Sequence, residues 1–82
     1  MLEGPGVDLS PGVAGYAAPF SQVGGPWARL YTAPSDAAAL MLIEPHGAVL
    51  SVWRLAGAWA LVENSTGLTG WTPRSAIRLL GR

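Results

Sequence analysis

The chain reads as an all-β protein, a small five-stranded barrel over residues 27–82 behind an extended, irregular arm over residues 1–26. Three observations carry this expectation. Eighty-two residues make one domain at most. From Trp27 onward, short apolar segments of strand length follow one another with turn signals between them. Before Trp27, breakers dominate, with six Gly and four Pro among 26 residues.

The arm cannot sustain a helix or a central strand, because Pro lacks a backbone donor and Gly loses most entropy on ordering. It is nonetheless unlike a Gly/Ser linker. Leu2, Val7, Leu9, Val13, Tyr16, Phe20 and Val23 sit singly between the breakers. Such spacing suits a segment that lies extended along a surface and drops side chains into pockets. Tyr16 and Phe20 are its candidate anchors.

Each later element has its own signal. Arg29 to Thr32 forms a short strand ending in the turn cluster Ala33-Pro34-Ser35-Asp36. Leu40 to Ile43 is an apolar run closed by Pro45-His46-Gly47, which favours a strand. In Ala48 to Arg54, Leu50 and Val52 share one face, so Val49, Ser51 and Trp53 point the other way. Ala56-Gly57 turns the chain into Trp59 to Glu63, and Asn64 to Gly67 turns it again into Leu68 to Thr72. Pro73 to Ala76 reads as one 3₁₀ turn before a last strand, Ile77 to Leu80. Leu30, Leu42, Leu50, Val52, Val62 and Ile77 are the expected core.

Composition narrows the function. Half the residues are apolar and 12% are charged, sparse for a free-standing small protein and suggestive of apolar surface kept for a partner. Five Arg, no Lys and five acidic residues balance to zero, without the basic stripe a nucleic-acid binder needs. There is no Cys, which rules out disulfides and thiolate chemistry. His46 is the only His and lies in a turn. The serines lack a nucleophile-elbow context, the carboxylates are scattered, and no glycine-rich phosphate loop is present. A non-catalytic protein without cofactor or metal is therefore expected. No signal peptide or membrane-length apolar run is visible, so the expected location is the cytoplasm, compatible with peripheral attachment to a membrane complex.

The stretch Gly57-Ala58-Trp59-Ala60-Leu61-Val62, then Thr66-Gly67-Leu68-Thr69-Gly70-Trp71-Thr72-Pro73-Arg74-Ser75-Ala76-Ile77, resembles the SH3 family. There a Trp opens one strand and a short hairpin leads to G-x-x-G-[YW]-x-P-x-x-x-[VI]. Leu30 to Ser35 and Ile43 to Val52 are similar to the corresponding segments of bacterial SH3 domains. The likeness covers residues 28–80 and implies an SH3-like five-stranded barrel. By position, Trp59, Pro73 and Tyr31 match the aromatic groove that holds Pro-rich ligands, whereas Ala33 and Ala76 stand where the family usually has Tyr. With two aromatic walls missing, generic PxxP binding is not expected.

The functional expectation is a protein-binding module, an accessory or structural subunit of a larger bacterial assembly. It would dock through its arm and an exposed Trp face, using Trp53, Trp59, Tyr31, Pro73, Val49, Tyr16 and Phe20. The alternative is a bacterial SH3 module for a peptide or cell-wall ligand. A third reading is a regulatory subunit that covers an enzyme's active site. The arm's own Pro5, Pro11, Pro19 or Pro26 could also fold back over the groove.

Overall fold

The computed structural model describes residues 20–80. They form an all-β unit of seven strands: β1 Phe20–Val23, β2 Trp27–Tyr31, β3 Leu40–Pro45, β4 Val49–Ala56, β5 Trp59–Glu63, β6 Thr69–Pro73 and β7 Ile77–Leu79. One 3₁₀ turn, Arg74–Ala76, precedes β7. All pairings are antiparallel, and the strands lie in one sheet in the order β3-β2-β6-β5-β4-β1-β7.

Two expectations need correction. The sheet has seven strands rather than five, and β3 and β7 remain its unpaired edges, so it is not a closed barrel. It is curled all the same, since Leu42 of β3 and Ile77 and Leu79 of β7 pack on the same apolar cluster. The segment before Trp27 also contributes a strand inside the sheet. Phe20 to Val23 is just long enough to pair with β4 on one side and β7 on the other, the breakers Pro19 and Gly24 falling outside it. The sheet thus takes in Phe20 to Val23, ahead of Trp27.

The core is built from alternate residues, as a pleated sheet requires. Val23, Ala28, Leu30, Leu50, Val52, Ala60 and Val62 are buried in one cluster, with Leu42, Leu55, Ala76 and Ile77 partly buried against it. Each fully buried Leu or Val contributes roughly 1.5–3 kcal/mol. All six expected core residues take part. Ser21 is the polar member of this face and is satisfied by donating to the Leu50 carbonyl at 3.0 Å.

The turns are fixed by local chemistry. Gly47 has φ +85, a conformation that L side chains rarely adopt, and the preceding His46 sets its Nδ1 2.8 Å from the Gly25 carbonyl. In the β5–β6 hairpin, Asn64 Oδ1 accepts from the Thr66 amide, the Thr66 hydroxyl and the Leu68 amide at 2.9–3.0 Å. Asn64 Nδ2 donates to Glu44 of β3 at 2.8 Å. One side chain thus closes the hairpin and ties it to an edge strand. Asn64→Ala should lower stability in urea unfolding by about 1–2 kcal/mol, since several bonds to one residue go at once.

Candidate functional site

β4, β5, β6 and β2 present a second face, opposite the core. Register defines it: Trp59 pairs with Pro73, Leu61 with Trp71 and Glu63 with Thr69, while Ala60 and Val62 face inward. Tyr31 pairs with Trp71 and extends this outer face onto β2. β4 and β1 complete it, with Ser51 opposite both Glu63 and Phe20, and Val49 opposite Gln22.

At one end of the outer face lies an open groove of about 470 Å³, lined by Asp36, Ala58, Trp59, Pro73, Arg74 and Ser75. Tyr31 packs against one of these lining residues, meeting Trp59 edge-on with ring centroids 5.8 Å apart. The Tyr31, Trp59 and Pro73 side chains anticipated from the sequence are thus brought together. The turn cluster after β2 contributes Asp36 to the lining, and the 3₁₀ turn after β6 contributes Arg74 and Ser75. The backbone amide of Arg74 donates to the Ala58 carbonyl at 2.7 Å, which holds that turn against the start of β5. Asp36 and Arg74 bring one carboxylate and one guanidinium to the lining, and Arg74 carries no signal of this in the sequence.

At the other end, Phe20, Val49 and Trp53 form an apolar patch, each with about half its surface open (49%, 49% and 50%). The outward phase expected for Val49 and Trp53 is the observed one. A bulge between Val52 and Arg54 makes Trp53 the extra residue of β4. Its indole Nε1 donates to Glu63 Oε1 at 3.0 Å, so the ring is held in place while one side stays open. Phe20 joins the patch because β1 lies beside β4, which makes it a sheet residue rather than part of a free arm. Tyr16 lies outside the described residues. Patch and groove share the outer face, with Leu61 and Trp71 between them.

Trp53→Ser removes one exposed ring and one exposed hydrogen bond. It should change unfolding stability in urea by no more than about 0.5–1 kcal/mol.

Trp71 is fully buried, whereas Trp27, at the start of β2, is half exposed beneath the Arg29 guanidinium at 5.6 Å. Among the described residues no three His, Asp or Glu side chains are grouped to hold a metal, and no helix is long and apolar enough to cross a membrane. No protein family, characterised protein or solved structure was found to match the chain. Function is therefore read from the site alone.

Proposed function

We propose that this is a non-catalytic protein-binding module of SH3-like type, an accessory or structural subunit of a larger bacterial assembly working in the cytoplasm. The observation that carries this is the patch of Phe20, Val49 and Trp53, three large apolar side chains about half open on adjacent strands. A small domain gains nothing from leaving such groups in water, and aromatic anchors on a rigid sheet are what protein interfaces use. Trp53 is held by Glu63, so little side-chain entropy is lost when a partner covers it. The SH3-like reading is supported by the order of elements from β4 on: hairpin, hairpin, 3₁₀ turn and last strand, with Trp59 opening β5 and Pro73 closing β6.

A second reading rests on the groove. Trp59, braced by Tyr31, and Pro73 offer an apolar surface in a groove also lined by Asp36 and Arg74, suited to a short peptide or cell-wall ligand. The two readings separate experimentally. Tagged full-length protein recovered from its own cells under mild detergent should bring down one partner in stoichiometric amount. Recovery of the chain alone, with the Trp59 indole resonance shifted by peptidoglycan fragments or a Pro-rich peptide, would replace the subunit reading by the groove reading.

A further inference from the structure

The groove at the Trp59 end of the outer face collects side chains whose polar groups are unused. Asp36, Trp59, Arg74 and Ser75 line it together with Ala58 and Pro73. Among the described residues, none of these four side chains makes a hydrogen bond or an ion pair, although the Trp59 ring meets Tyr31. Trp53, on the neighbouring strand β4, shows the contrast, because its indole N–H is spent on Glu63. The Glu44 carboxylate is likewise engaged by Asn64. The groove thus gathers an indole N–H, a guanidinium and a hydroxyl, three donor groups that the fold leaves open. Asp36 does not neutralise Arg74, since the two share the lining without pairing.

The lining is held from behind. Trp59 pairs with Pro73 across β5 and β6, and Tyr31 braces the Trp59 ring edge-on. The Arg74 amide donates to the Ala58 carbonyl at 2.7 Å. A ligand therefore meets a fixed apolar surface, and little order has to be created on binding. Arg74 and Ser75 are successive and exposed, and a guanidinium beside a hydroxyl suits a planar anion that accepts from both. A carboxylate has that shape. Asp36 disfavours a second anionic group on the same ligand.

Building on the groove reading above, we propose that this site takes the carboxylate of a short peptide. Arg74 and Ser75 donate to it, and Trp59 and Pro73 cover the apolar side chain next to it. The carboxylate comes from a chain end or from an acidic side chain, and the test tells the two apart.

The ¹⁵N-labelled full chain is titrated with three random tripeptide mixtures while the Trp59 indole peak is followed. The first contains no acidic residue and has a free C-terminus. The second is the same mixture as the C-terminal amide, and the third is amidated with Glu at its centre. The first or the third should shift the peak at a concentration about five- to tenfold below that of the second. A response to the first identifies the chain end, and a response to the third the acidic side chain. Arg74→Gln should keep the thermal midpoint and erase this preference, whereas Arg78→Gln, an equal change of charge outside the groove, should retain it. Equal shifts by all three mixtures would overturn the carboxylate assignment and leave the groove reading standing. A preference that survives Arg74→Gln, or is lost equally in Arg78→Gln, would also overturn it. No shift by any mixture would overturn both.

Discussion

Trp71→Ala is expected to lower the stability of the folded unit by about 3–5 kcal/mol, the range for removing a fully buried large aromatic ring. Two features put Trp71 at this end of the scale. Its side chain has no solvent-exposed surface. It also occupies the one register pair, with Tyr31, that joins the β2–β3 ribbon to β6 and thus to the other strands. Losing the ring leaves a cavity at that seam, so β2 and β3 should loosen before the other five strands. Urea unfolding followed by far-ultraviolet circular dichroism should show both the lower midpoint and a broadened transition. A loss below about 1 kcal/mol would mean that Trp71 is only loosely packed.

Gly70→Val should be the second most damaging change, costing about 1–3 kcal/mol, with Gly70→Ala at the low end of that range. A Cβ at Gly70 would stand 3.1 Å from Leu30 Cβ, 3.1 Å from Met41 Sδ and 3.3 Å from the Tyr31 carbonyl oxygen. The thioether can move aside, but Leu30 Cβ and the Tyr31 carbonyl are fixed by the strand that carries them. Overpacking here pushes β2 away from β6 at the same seam. Gly24 supplies the control, because its Cβ would meet nothing nearer than Arg78 Cβ at 3.9 Å. Gly24→Ala should be near neutral, since it removes backbone freedom from the unfolded chain without a clash. Thermal unfolding of the three variants side by side checks the order.

Gly70 also shows a demand that sequence reasoning does not reach. A glycine before Trp71 suggests a strand that bends sharply at a corner. Its backbone carries no positive φ, and what the site demands is space for Leu30 and Met41. That demand comes from β2 and β3, both distant in the chain, and leaves no local trace. The elements after Trp27 were legible for the opposite reason. Alternation in β4 and β5, the Asn64 to Gly67 turn and Pro73 are local signals, and they place each strand and most of the core. β1 was hidden because Phe-Ser-Gln-Val between Pro19 and Gly24 has neither the length nor the β-branched content of a strand. Its pairing is decided by β4 and β7, whose edges it satisfies. Closure into a barrel was likewise a matter of distant edges, and β3 and β7 do not pair.

The candidate site divides in the same way. Strand phase alone gives the outward direction of Val49 and Trp53. Resemblance gives the Tyr31, Trp59 and Pro73 group. Two Trp residues of identical composition differ because Trp53 sits in a bulge at one end of the outer face and Trp71 at its centre. The hydrogen bond from Trp53 to Glu63 and the placing of Asp36 and Arg74 on the groove depend on side-chain geometry that no spacing rule encodes.

On the proposed function, the Trp53 patch binds a protein and does not serve the fold. The most direct measurement compares wild type with the double variant Trp53→Ser, Val49→Ser in a pull-down from native cells, with urea unfolding run on both. The expected result is loss of the stoichiometric partner, together with a folded domain whose stability falls by no more than about 1–2 kcal/mol. Full recovery of the partner by the folded variant would contradict the claim, as would a variant too unstable to fold, which would place these two residues in the core.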